Sequence, residues 1–286
     1  MNNGVNGMKS RSRTTYRSIV LVFLTCSLLG VGTQVIAEEP PHYRFGVFPF
    51  MPMPALIKYY NAVGQDFTRN VNKRVIAQSR PTFKLFSQEV ENESYDIIFV
   101  QPFDYPKAYK HGYRPLARRS DKLDAIIVTK INSDIKSIAD LAGKIVANPP
   151  KESAISLVIK KELKKAGLNK DSGIEMIYTG NHFACMQMVL LGKADACSTT
   201  SPVLRRWETT ELKKKKLHLI HQSDGVPHAL YMAHQRIPEQ HQQKFKKAIL
   251  TWNSRPEGRM ILKTFSVTSF VEAKDSDYDV IRNFWD

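Results

Sequence analysis

The sequence predicts an α/β protein of two lobes, each a mostly parallel sheet flanked by helices, joined by two hinge crossovers. Three observations carry this. From Tyr43 onward, short strand-like runs alternate with amphipathic helical stretches, the pattern of parallel sheets with helices on their faces. Two segments, near Ala125 to Lys130 and near Leu217 to Ser223, read as crossovers, and the stretch between them holds strands and helices of its own. A chain of 286 residues, 42% hydrophobic and 24% charged, is long enough for two lobes of about 100 to 150 residues each. The expected division is a discontinuous lobe of residues 38–127 and 222–286 with a lobe of residues 128–221 inserted in it. A ligand would bind in the cleft between the two and close the hinge.

The elements follow in order. Tyr43 to Phe48 reads as a strand with Gly46 inside it, and Pro49, Pro52 and Pro54 mark a loop and a helix start. Ala55 to Asn72 has helical spacing through Leu56, Tyr59, Tyr60, Val63 and Phe67. Lys73 to Gln78 is a strand, Phe83 to Glu91 a helix, and Asp96 to Val100 a strand apolar on both faces, which belongs in the middle of a sheet. Tyr105 to Lys110 is a short helix; Arg114 to Ala117 and Ala125 to Thr129 are strands. Ser137 to Leu141 is a helical turn leading through Gly143 to the strand Lys144 to Ala147, which Pro149 and Pro150 break. Ser153 to Ala166 is a helix ended by Gly167. Glu175 to Tyr178, His182 to Leu191 and Ala194 to Cys197 make strand, helix and strand, and helices at Glu239 to Trp252, Pro256 to Thr264 and Tyr278 to Trp285 close the chain.

Residues 1–37 read as a signal peptide. A basic segment, Lys9 to Arg17, precedes an apolar one from Ile19 to Leu29, and Val35-Ile36-Ala37 is a small-residue ending suited to cleavage before Glu38. The apolar core is shorter than the roughly 20 residues a membrane-spanning helix needs. Cys26 raises a lipoprotein alternative, against which Phe23-Leu24-Thr25 is a poor lipobox. Export to the periplasm is the expectation.

The net charge of +15 becomes +11 once residues 1–37 are removed. The positives are scattered. The densest run, Lys213 to Lys216, reads as a solvated helix end, and no nucleic-acid module accompanies it, so no nucleic-acid partner is expected. The excess instead suits focusing of an anionic ligand. Cys185 and Cys197, twelve positions apart, are open to two readings: one disulfide in an oxidising compartment, or two buried free thiols. There is no Gly-x-Ser-x-Gly elbow and no metal-ligand histidine spacing, so neither an enzyme nor a metal or other cofactor is expected.

Three motifs then line up. Asp96-Ile97-Ile98-Phe99 with Pro102, Ile138-Ala139-Asp140-Leu141-Ala142-Gly143-Lys144, and His182 with Val189 through Ala196 together resemble the phosphate-, phosphite- and phosphonate-binding group of type II periplasmic binding proteins. The resemblance covers about residues 43 to 265. It implies a receptor component of an ABC importer that binds a small anionic or polar solute and delivers it to membrane permease subunits, acting as a monomer. The alternative is a periplasmic sensor that reports its ligand to a membrane kinase or another partner.

The residues that would hold the ligand are of three kinds. Helix starts offer backbone N–H groups to an anion, here at Ser153, which also suits a plain N-cap, and at His182, where the family resemblance places a binding histidine. The chain departs from the family pattern elsewhere: Glu152-Ser153-Ala154 stands where a hydroxyl triplet is usual, Val100 where a cleft tyrosine is, and Val226-Pro227-His228-Ala229 where an aspartate is. Phe48, Phe50, Gln101, Tyr105, Thr200, Ser201 and His228 are the expected replacements, with core packing beside the cleft the stronger reading of Phe48, Phe50 and Tyr105.

Overall fold

The computed structural model describes residues 41–209 and 216–286. The signal-peptide and Cys26 readings, and most of the Lys213 to Lys216 run, lie outside them.

The chain opens with β1 (Tyr43–Val47), α1 (Met53–Val71), β2 (Val75–Gln78), α2 (Phe83–Glu91), β3 (Ile97–Val100), α3 (Tyr105–Lys110) and β4 (Tyr113–Arg119). After β5 (Lys122–Leu123) come β6 (Ile126–Lys130), β7 (Ile145–Asn148), α4 (Ala154–Lys165), β8 (Glu175–Tyr178), α5 (His182–Leu190), β9 (Ala196–Thr199), α6 (Ser201–Glu208) and β10 (Leu217–Gln222). The return is β11 (Val226–Pro227), β12 (Leu230–His234), α7 (Glu239–Leu250), α8 (Pro256–Phe265), β13 (Phe270–Glu272) and α9 (Asp279–Arg282).

These elements form two α/β lobes. The first is built on a six-stranded sheet, β13-β4-β12-β3-β1-β2, and the second on a five-stranded one, β10-β6-β9-β7-β8. The local units pair in parallel, β1 with β2 and β3, and β7 with β8 and β9. Two of the antiparallel strands are reached by crossing between the lobes, and a third, β13, pairs with β4 at the sheet edge. β6 enters beside β9 after the first crossing, and β12 inserts between β3 and β4 after the second. β3 is buried along its whole length in the middle of its sheet, as a strand apolar on both faces should be.

Local chemistry sets the elements. α1 buries Leu56, Tyr60, Val63, Phe67 and Val71, one helical face, and ends at Asn72, which takes a left-handed conformation (φ 53°). Thr82, Ser153, Asn181 and Thr200 cap α2, α4, α5 and α6 with side-chain oxygens. Gly46 is required by its neighbour: a Cβ there would lie 2.5 Å from the Tyr95 ring.

The core of the first lobe is aromatic. Phe67 stacks on Trp252, and Tyr231 lies between Phe45, Phe99 and Phe270. One charge is enclosed by it. Asp66, fully buried, takes a two-pronged ion pair from Arg255 (2.7 and 2.9 Å) and the Trp252 indole N–H (2.8 Å).

In the second lobe the two faces of the sheet divide by strand alternation. Ile127, Val146 and Ala196 join Ala154, Ile155 and Val158 of α4 in a cluster continuous with the first lobe's core. Ile126, Val128, Ala147 and Cys197 pack instead with Cys185, Met186 and Val189 of α5 and with Trp207. Cys185 and Cys197 form a disulfide with Cα atoms 5.6 Å apart.

The two crossings run side by side. β5 and β11 pair antiparallel, Leu123 opposite Val226. Next to them Ser223 N–H donates to the Ala125 carbonyl (2.9 Å), and Ala125 N–H to the Ser223 hydroxyl (3.0 Å).

Candidate functional site

Parallel strands pointing the same way bring their C-terminal ends to one edge of a sheet, and ligands of α/β folds bind at such edges. In the first lobe the register sets Leu230 opposite both Val100 and Arg118, and Val47 opposite Phe99. The residues just beyond form a row: Arg119, then His228 and Ala229, then Gln101, then Phe48. In the second lobe Asn148 ends β7, Tyr178 ends β8 and Thr199 ends β9.

Gln101 links the rows. Its side chain, 4% exposed, accepts from the Ala154 N–H at the start of α4 (2.8 Å) and donates to the Glu152 carbonyl (2.9 Å). Glu152 therefore meets the first lobe through its backbone, while its exposed carboxylate helps raise the Tyr178 phenol, after the larger effect of burial. Beside Gln101, desolvation pushes the Asp104 carboxyl up from 3.8 to about 7, against the opposing pull of Gln101 hydrogen bonding and the Lys107 charge.

Ser153 works as a cap, its oxygen accepting from Ser156 N–H (3.3 Å). His182 opens α5, half-buried, with Nδ1 3.1 Å from the Thr199 hydroxyl; burial pushes its imidazole down from 6.5 to about 4, so it is neutral at pH 7. His228 is held by Ala229 N–H donating to its Nδ1 (2.7 Å), which leaves Nε2 as the N–H donor of the neutral ring. Burial, then the Arg119 charge, lowers it to about 3.

Phe48 and Phe50 lie 4.9 Å apart at the end of β1, with Phe99 5.6 Å from Phe48. Three other sequence-named residues are engaged elsewhere. Thr200 caps α6 (Val203 N–H, 3.4 Å), and Ser201 donates to Asp124 (2.7 Å) where the crossings begin. Tyr105 donates to Asp275 (2.6 Å) and stacks on Tyr278, whose hydroxyl in turn donates to the His228 carbonyl (2.8 Å). It supports the row from behind.

Besides Asp104, two residues that the sequence reading did not single out belong to this neighbourhood. Arg119 ends β4 and pairs with Asp121 through two prongs (2.6 and 2.9 Å), its side chain 16% exposed. Tyr60, 2% exposed, packs against Phe99 and Phe265. Arg119 could have been noticed as a cation at the last position of a strand before a crossover. Tyr60 carries no such mark, since its spacing on α1 is that of any core aromatic. Among the described residues, no group of three His, Cys, Asp or Glu side chains is placed to hold a metal ion, and no helix is long and apolar enough to cross a membrane.

Comparison with known proteins agrees with this architecture. The family described as "ABC transporter, phosphonate, periplasmic substrate-binding protein" matches residues 45–278, most of the chain. The chain belongs to this phosphonate-transporter substrate-binding family. Its fold is that of PhnD1 from Prochlorococcus marinus in complex with methylphosphonate, with a TM-score of 0.76 and 16% identity over 84% of this chain and 96% of that one. A binding protein component of an ABC phosphonate transporter from Pseudomonas aeruginosa superposes with a TM-score of 0.73 at 16% identity, over 85% of each chain. The periplasmic aliphatic sulphonate binding protein SsuA from Escherichia coli matches with a TM-score of 0.59 and 16% identity, over 86% of this chain and 91% of that one. As a member of this periplasmic substrate-binding family, the protein is a type II periplasmic binding protein, the solute receptor of an ABC importer that passes a small ligand to permease subunits. The family is one of transport receptors rather than an enzyme class.

Proposed function

We propose that the two rows of strand ends form the solute site, with the ligand an oxyanion enclosed between Phe48, Phe50, Gln101 and His228 on the first lobe and the starts of α4 and α5, at Ser153 and His182, on the second. The observation that carries this reading is the Gln101 link: one buried side chain at the end of β3 bonds the helix that follows β7, so the strand ends of both sheets face one space. Thr200 and Ser201 serve this site indirectly by fixing α6 to the crossing at Asp124, and Tyr105 by bracing His228 through Tyr278. The grouping of strands supports a discontinuous lobe of residues 38–127 and 222–286 and an inserted lobe of residues 128–221, which close on the solute by bending at the paired crossings.

The protein acts as a monomer and performs no chemistry on its ligand. Its mature chain begins at Glu38 after cleavage behind Ala37; intact-mass measurement of periplasmic protein checks this, and retention of residues 1–37 would refute it. Thermal-shift screening of phosphate, phosphite, phosphonates, sulfonates and small carboxylates, followed by calorimetry, tests the site, because a ligand that binds only the folded state raises its stability by mass action. His182→Ala should weaken the ligand so found by about 3- to 10-fold, the effect of one hydrogen bond from a neutral donor. An unchanged affinity in a folded variant would remove His182 from the site.

A further inference from the structure

Of its first three amides, the start of α4 keeps only that of Ile155 for an anion: Ala154 N–H is taken by Gln101 and Ser156 N–H by the Ser153 hydroxyl. More free donors lie on the first lobe. Arg119 uses Nε and Nη2 on Asp121, and its Nη1 hydrogen-bonds no described residue. The Tyr60 hydroxyl likewise makes no hydrogen bond to a described residue. His228 presents an Nε2–H because its Nδ1 is occupied by the backbone. The three belong to one neighbourhood: Arg119 N–H donates to the Ala229 carbonyl (3.1 Å), on the residue after His228, and the Tyr60 ring lies 6.2 Å from Phe50 and 5.7 Å from Phe99, within reach of the Arg119 charge.

Charge and wall chemistry then narrow the ligand. Asp121 already balances Arg119, and His228 is neutral, so the donor group as a whole carries almost no net charge. Bringing a dianion out of water to such a site is disfavoured, whereas a single negative charge can share the Arg119 fork. The neighbouring wall is aromatic, half-buried Phe50 lying on the buried Phe48 with Phe99 behind it, and would contact carbon rather than more oxygen.

We propose that Arg119, His228 and Tyr60 are the specificity-determining residues of the cleft and that they select a singly charged organic oxyanion, a carboxylate or sulfonate whose apolar substituent lies against Phe48 and Phe50. This rests on the reading that the cleft binds an oxyanion. Gln101, by capping α4, is what moves recognition from the helix start to the first lobe.

The experiment is calorimetry at pH 8 with four probes, benzoate, benzenesulfonate, methylphosphonate and inorganic phosphate. It is run on the wild type, on Tyr60→Phe and on the double variant Arg119→Gln/Asp121→Asn, with folding checked by circular dichroism. Benzoate or benzenesulfonate should bind at least about 10-fold tighter than either phosphorus anion, and the double variant should lose about 10- to 100-fold of that affinity. Tyr60→Phe keeps the ring, so it supplies the answer if the double variant fails to fold, with an expected loss of about 3- to 10-fold. Tighter binding of methylphosphonate or phosphate would overturn the inference and leave the oxyanion cleft standing. Organic anions that bind equally well to wild type and folded variants would also overturn it. Binding of none of the four would overturn the cleft reading itself, and the inference with it.

Discussion

The Gln101 side chain and the Ala154 backbone amide, 53 residues apart, meet at 2.8 Å and join the end of a strand in one lobe to the first turn of a helix in the other. Gln101→Ala would leave the Ala154 N–H and the Glu152 carbonyl without these partners. Stability in urea titration should fall by about 1 to 3 kcal/mol, the cost of leaving buried polar groups unmatched. Small-angle scattering of the ligand-free variant should also show a larger radius of gyration, since a direct tie between lobes is gone.

Asp66 is held below its ordinary pKa of 3.8 because hydrogen bonds from Arg255 and Trp252, with the Arg255 and Arg69 charges, overcome the opposing effect of burial. A depressed carboxyl stabilises the fold above its unfolded pKa, and that stabilisation is lost as pH falls through the folded value. Asp66→Ala should cost about 3 to 5 kcal/mol at pH 7, since it strands the Arg255 guanidinium and the Trp252 indole. Asp66→Asn should cost less and flatten the acid limb of a stability-against-pH curve.

Three groups at the proposed cleft titrate with opposing signs. His182 and His228, lowered from 6.5 to about 4 and about 3, bind protons more readily when unfolded, so their contribution falls as pH drops below 6.5, by up to about 1.4 kcal/mol per pH unit each. Asp104, raised from 3.8 to about 7, keeps its proton in the folded state, so its contribution is full at low pH and is lost as pH rises between those values. Asp104→Asn should therefore be more stable than the wild type at pH 8 and show a steeper rise of stability with pH from 4 to 6.5. Replacing both histidines with Gln should reverse that slope. Chemical denaturation at several pH values reads both.

The disulfide between Cys185 and Cys197 closes a short loop, with a sequence separation of 12. Chain-entropy arithmetic for that length gives about 3 kcal/mol of stabilisation. Reduction should lower the melting temperature by about 6 to 12 °C in a protein of this size. Calorimetry with and without dithiothreitol, using a Cys185→Ala/Cys197→Ala variant as the reductant-insensitive control, checks it.

Much of this architecture was legible locally. The bounds of α2, α3 and β8 coincide with those read from spacing, because caps, prolines and apolar periodicity act within a few residues. β12 was not legible. Leu230 to Ala233 is a short apolar run between histidines, and its place between β3 and β4 depends on strands over 100 residues earlier. α6, too, was passed over, although Thr200 and Pro202 mark its start. The same division applies to the proposed cleft. Gln101, Ser153, His182 and His228 sit at strand ends or helix starts, which sequence marks. Arg119, Tyr60 and Asp104 acquire their roles from partners and burial that no window of sequence contains.

The paired crossings, β5 with β11 and Ala125 with Ser223, have a mechanical consequence. Two unlinked chain segments would let the lobes slide and swivel independently about several axes. A hydrogen-bonded ribbon is stiff within its plane and compliant across it, so bending about one line is the soft motion. Distances measured between several label pairs, one label on each lobe, should then all change together as functions of a single opening angle.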